Sequence, residues 1–352
     1  MQPLAPSRAL QPAPQVPPAS RPYRLGIAIV VGLLVLLALS ALSLLVGSGK
    51  FTPTQVWQAL QPSGSSDPTV DLLIRQYRLP RTIIAIAVGA SLGVAGTIMQ
   101  ALTRNPLADP GILGVNAGAY TGVVLAAGQL GTQIHTTHVL YAMGGAVLTA
   151  AVVYVIGTTG PGSHSSAKLL LTGVAVAAVL NGSAYAISVL HPQVFDRVRY
   201  WNLGSLQGKQ IGDLYAVLPF LGIGLIVGLA LPRALNALSM GDDVAVALGS
   251  KPLRIRLAGL VAITLLCAGA TALAGPIGFL GLMVPHLLRL IVGPSYTRLL
   301  PLSLLVAPSF LLAADIAGRF LVAGELPAGI VTALLGAPVL IYLARAKGVR
   351  QL

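Results

Sequence analysis

The chain has 352 residues, 55% of them apolar and only 9% charged, where a soluble domain carries about a quarter; this excludes an ordinary water-soluble protein. Its single cysteine excludes an internal disulfide and a thiolate metal cluster. Basic residues outnumber acidic ones 22 to 9, but they sit between apolar runs and form no basic stripe, which argues for orientation in a bilayer and against nucleic acid.

Residues 1–24 hold seven prolines among small and polar residues and read as a disordered cytoplasmic tail. Leu25–Val46 follows, a run of 22 residues that is longer than a signal-peptide core and lacks a clear cleavage site, so a retained first span is favoured. Lys50–Leu79 is polar and reads as an extramembrane loop with a short helix near Thr54–Leu60. Arg78-Leu79-Pro80-Arg81 then opens the second span, Pro80–Thr103, with Pro80 suited to a first helical turn. Thr82 to Ile98 contains no charge, as a bilayer-spanning helix requires. Pro106, Pro110 and Gly111 break that helix, and the chain crosses back.

Further predicted spans are Gly111–Gly128, Val139–Gly157, Lys168–Leu190, Leu214–Leu231, Arg256–Ala274, Pro276–Ile291, Leu299–Val322 and Ala328–Ala344. That makes ten, an all-α polytopic membrane protein with one transmembrane domain over residues 25–347 and a short tail at 348–352. Pro276–Ile291 is short for a full crossing. With ten crossings, 14 of the 22 basic residues fall on the side of the termini, which the positive-inside rule assigns to the cytoplasm. Gly89/Gly93, Gly114/Gly118, Gly118/Gly122 and Gly224/Gly228 carry the four-residue glycine spacing of close helix crossings, expected mostly within one chain.

The longest loop on that side is Pro232–Leu257. Ser239 can cap a short helix with Asp242 and Asp243 in its first turn, where the helix dipole favours negative charge. Val244, Ala245, Ala247 and Leu248 give it a modest apolar face, and Gly249 ends it. Such a helix could dock in a groove of a soluble partner or simply lie at the interface. Arg75, Arg78 and Arg81 recur every three residues at the mouth of the second span, suited either to carboxylate recognition or to snorkelling at the membrane edge. Asp315 lies four residues before Arg319, the spacing of an intrahelical ion pair. Ser165, Ser166 and Lys168 stand where an N-cap would precede the fifth span. Gly157–His164 has the glycine spacing of a phosphate loop without its lysine and reads as a turn. His135 and His138 lack a third ligand, so no metal site is expected. His286 reads as a packed, hydrogen-bonded histidine, and no cofactor or catalytic set can be assembled.

Four stretches together resemble a known family: Arg78–Ala119, the Ala245–Gly249 loop, Gly275–Gly293 and Ala314–Leu343. The chain is similar over Leu25–Lys347 to permease subunits of ATP-binding cassette (ABC) importers of the FecCD type, which take up ferric siderophores, haem and cobalamin. The resemblance implies a type II importer permease fold and a second permease subunit, identical or closely related. It also implies a substrate-binding protein outside and two ATPase subunits on the cytoplasmic side of the inner membrane. By position, Arg78, Arg81 and Arg319 would receive acidic side chains of the binding protein. Asp242, Asp243, Val244, Ala247, Leu248 and Gly249 would form the ATPase coupling element, and Ser165 and Ser166 would line an inner gate. The chain itself would hydrolyse nothing, and ferric siderophore is the first expected cargo, ahead of haem and cobalamin. An ion-coupled secondary transporter is the disfavoured alternative, since Asp315 is the one plausible intramembrane carboxylate and has Arg319 beside it.

Overall fold

A computed structural model describes residues 22–49, 51–129, 136–159, 166–322 and 324–345. Regular structure among them is entirely helical. The helices are α1 (Pro22–Leu45), α2 (Pro53–Leu60), α3 (Pro68–Leu72), α4 (Leu79–Thr103), α5 (Val115–Gln129), α6 (Thr136–Thr158), α7 (Ser166–Leu190) and α8 (Pro192–Trp201). They continue with α9 (Ile211–Ala230), α10 (Pro232–Ser239), α11 (Asp242–Ala247), α12 (Pro252–Ala274), α13 (Leu280–Val292), α14 (Tyr296–Leu321) and α15 (Ala328–Arg345).

Each of the ten predicted spans corresponds to one helix: α1, α4, α5, α6, α7, α9, α12, α13, α14 and α15. Seven are long and apolar enough to cross a bilayer by themselves. The exceptions are α5, α13 and α15. The 13 residues of α13 rise about 20 Å, and the non-helical Gly275–Phe279 precedes them. Most of the proline-rich tail and residues 348–352 lie outside the described residues.

At the centre stands α4. In its most apolar stretch 83% of residues are buried, against 6% for α1, so α4 is enclosed by protein while α1 faces outward. Small residues make this enclosure possible. A Cβ on Gly89 or Gly93 would overlap α14 at Pro308 or Ala307, and one on Gly96 would overlap the carbonyl of Gly281 on α13. The other glycine pairs also pack within the chain: Gly118 and Gly122 lie on α6, Gly224 on α12 and Gly228 on α4.

The segment before α4 differs from the expected loop. Asp67 caps α3, accepting from the Thr69 amide at 2.8 Å, and Pro68 occupies the first turn. Val70 and Ile74 bury against Val56 and Ala59 of α2. A π-helical turn, Leu73–Arg78, then carries the backbone straight into α4. Pro80 has no amide hydrogen to continue the ordinary ladder, and the Leu79 amide bonds five residues back to Ile74; the helix passes the proline by widening. Two further helices were not predicted. In α8, Val194, Val198 and Trp201 are buried, a helical spacing that leaves one face for the core. In α10, Pro232 starts the first turn and Leu235 and Leu238 are buried.

Candidate functional site

Polar side chains gather at the two ends of α4. The end that starts at Arg78 carries all three arginines expected to be docking residues, and they are not equivalent. Arg78 is 6% exposed. Its Nη1 donates to the carbonyls of Leu44 and Leu45, and its Nη2 to those of Ser48 and Gly49, at 2.7–3.1 Å. The last carbonyls of a helix have no partners within it, and a guanidinium fork spans several at once. Arg319, 3% exposed, performs the same task from α14, donating to the Ser43 and Val46 carbonyls at 2.7 and 2.6 Å. Both are engaged by the C-terminal end of α1.

Arg81 is the most exposed of the three, at 13%. Its Nε and Nη2 grip Asp315 at 2.9–3.2 Å, and its Nη1 reaches Glu325 at 2.8 Å. Asp315 is also bonded by Arg319 at 2.7 Å, so the expected intrahelical pair exists but is shared with α4. Burying the Asp315 carboxylate at 1% exposure is tolerable because two guanidinium groups satisfy it.

Arg104 closes the opposite end of α4 in a left-handed conformation, φ 49°. It donates to the Leu238 carbonyl at 2.7 Å and to Asp242 at 2.5 Å, while Arg256 of α12 reaches Asp242 at 2.8 Å. Asp242 thus ties α11 to α4 and α12. Ser239 does not cap α11, because Gly241, at φ 120°, intervenes and the Ser239 hydroxyl donates to the Asn236 carbonyl. Gly249, at φ 77°, ends the element as expected. The Gly249 amide bonds to Val246 and the Ser250 amide to Ala245, a Schellman closure. Ala245 is buried, so the exposed apolar face comprises Met240, Val244, Val246 and Leu248; Asp243, Ala247 and Gly249 are also exposed.

Inside, the buried Gln100 of α4 donates to the Leu282 carbonyl at 3.1 Å and accepts from Arg289 at 2.5 Å. Beyond the end of α4, Asp109 accepts from the Gly111 amide at 2.7 Å, and burial raises its carboxyl above the ordinary range. A groove of about 650 Å³ runs between α15 and the segments at Leu203 and Pro276, lined mostly by apolar groups. Beside it, burial lowers the Lys209 ammonium while the Asp213 charge opposes that shift.

Ser165 and His135 lie outside the described residues, and Ser166 begins α7. Among the described residues no three His, Cys, Asp or Glu side chains converge as a metal site would require. His286 is not the hydrogen-bonded histidine expected: its Nδ1 is buried without a partner among the described residues. The sequence reading did not anticipate the bonds of Arg81 to Asp315 and Glu325, nor those of Arg104 and Arg256 to Asp242.

These features define a polytopic membrane protein, helical throughout its described regular structure and arranged around one enclosed helix with a charged cluster at each end. Residues 34–346 match the FecCD transport family, and the chain belongs to that family. It is 46% identical over 319 residues to the ferric enterobactin transport system permease protein FepD of Escherichia coli (strain K12), covering 90% of this chain and 95% of that protein. The cobalamin import system permease protein BtuC of Halobacterium salinarum is 40% identical, covering 81% of this chain and 76% of that one. Among solved structures, a chain from an inward-facing structure described as a metal-chelate type ABC transporter superposes with a TM-score of 0.76 at 27% identity. That match covers 91% of this chain and 99% of the other.

Proposed function

We propose that the chain is the membrane-spanning subunit of an ABC importer that moves a ferric siderophore from a periplasmic or lipid-anchored binding protein into the cytoplasm. Two separate ATPase subunits supply the energy, and a second permease subunit, identical or related, completes the path. The observation that carries the reading is the 46% identity, over nearly the full length of both chains, to a ferric enterobactin permease. The similarity to a cobalamin permease supports a second reading in which cobalamin or haem travels by the same route.

In this reading both termini and α11 face the cytoplasm, following the excess of basic residues on that side. The exposed apolar side chains of α11 meet the ATPases, while Asp242 positions the element from beneath. The rim of Arg78, Arg81 and Arg319 meets the binding protein. Arg81 offers the outward contact, and Arg78 and Arg319 hold the neighbouring end of α1. Ser165 and Ser166 belong to the inner gate. Substrate choice rests mainly with the binding protein, since a path that passes unlike chelates needs few specific contacts.

The test is uptake by proteoliposomes containing the permease with its ATPases and binding protein. ATP-dependent accumulation of radiolabelled ferric siderophore, without accumulation of cobalamin, is the expected result. Uptake by the permease alone, driven by an ion gradient, would reject the proposal. Accumulation of cobalamin in place of iron chelate would transfer it to the second reading.

A further inference from the structure

We propose that Glu325 is a built-in stand-in for the partner's carboxylate: it occupies Arg81 in the resting chain and is displaced when the binding protein docks. This inference rests on the docking role assigned to the rim. Asp315 holds the Nε–Nη2 edge of the Arg81 guanidinium, and Glu325 accepts from the remaining nitrogen, Nη1, at 2.8 Å. The two carboxylates differ in exchangeability. Asp315 is 1% exposed and shared with Arg319, whereas Glu325 is 23% exposed and, among the described residues, forms a salt bridge only with Arg81.

Glu325 also occupies an unfavourable backbone conformation. It is one of three non-glycine residues at positive φ among the described residues, at 55°, a geometry that disfavours any side chain with a Cβ. The residue sits in the turn between α14 and α15, beside Gly324 and before Pro327. The same turn walls a rim cavity of about 310 Å³ together with Tyr200, Trp201 and Lys209. An incoming carboxylate that takes Arg81 Nη1 releases Glu325 toward that cavity, so capture of the partner and loosening of the α14–α15 turn become one event. While Glu325 is bound, only a fraction of molecules presents a receptive Arg81, and apparent affinity falls by that fraction.

The experiment measures the binding protein's affinity for the assembled transporter in nanodiscs, comparing wild type with E325Q and R81E. A partly exposed ion pair of this kind is worth at most about a fivefold change in binding, so E325Q should bind up to about fivefold tighter and R81E should lose capture. Where E325Q does not assemble, E325D, which withdraws the charge by one methylene, should tighten binding by a smaller factor. Unchanged or weaker binding by the Glu325 variants while R81E loses capture would overturn the displacement and leave the docking rim standing. Capture unaffected by R81E would overturn both.

Discussion

The two ends of α4 use the same pair of groups, arginine and carboxylate, in opposite ways. At the Arg81 end the charges are enclosed: Asp315 is 1% exposed and is held by two arginines from different helices. At the Arg104 end, Asp242 is 43% exposed and also takes two arginines, yet it lies beneath the exposed apolar side chains of α11. An enclosed cluster cannot rearrange without uncovering charge in a poor solvent, whereas an open one exchanges partners with water at little cost. The first is suited to hold helices in register. The second is suited to a contact that must shift during each cycle.

The largest effect should come from D315N, which leaves Arg81 and Arg319 without their shared carboxylate. Breaking a buried pair costs about 3–5 kcal/mol, so thermal unfolding of the purified permease should shift strongly downward or well-folded protein should be lost. Retention of the wild-type transition would show that the enclosed cluster does not hold the helices. Next, deleting Met240–Gly249 should abolish retention of the ATPases while leaving the unfolding transition of the spans in place. Normal co-purification with the ATPases would move the coupling element elsewhere. A smaller change is expected for D242N. Two partly exposed pairs contribute about 1 kcal/mol or less each, so the protein should stay folded and assembled while binding-protein-stimulated ATP hydrolysis falls several-fold. A large loss of stability instead would erase the contrast between the ends.

The smallest expected effect concerns Asp109. Its carboxyl is raised by burial, so the folded chain retains a proton that the unfolded chain has released. Stability from this group is therefore present below the ordinary carboxylate range and declines as pH rises through the raised value. D109N should flatten that part of the stability profile, read by thermal unfolding across a pH series. A profile that remains as steep assigns the dependence to another group.

Much of the fold was legible in the sequence because a span announces itself by length and apolarity. The short elements were harder. Buried residues of α8 share a helical face, but its polar remainder resembles a loop. The helix α10 was hidden within a stretch whose acidic residues drew attention to α11. At the rim, the Asp315–Arg319 pair was readable at four-residue spacing. The Arg81–Asp315 bond joins positions 234 residues apart, a contact that no local pattern encodes. Nothing in the residue types of Arg78 and Arg319 distinguishes a guanidinium turned outward from one folded onto the carbonyls at the end of α1. That choice depends on where α1 stops.

The central claim is that this chain is a conduit driven from outside, receiving its cargo partner at Arg81 and its energy through α11. ATP hydrolysis by the assembled importer, with and without loaded binding protein, tests it most directly. The permease alone should hydrolyse no ATP. The full complex should accelerate when the loaded binding protein is added, and R81E should remove the acceleration in the complexes that assemble with their ATPases. Hydrolysis by the isolated chain, or an R81E complex that accelerates like wild type, would contradict the account.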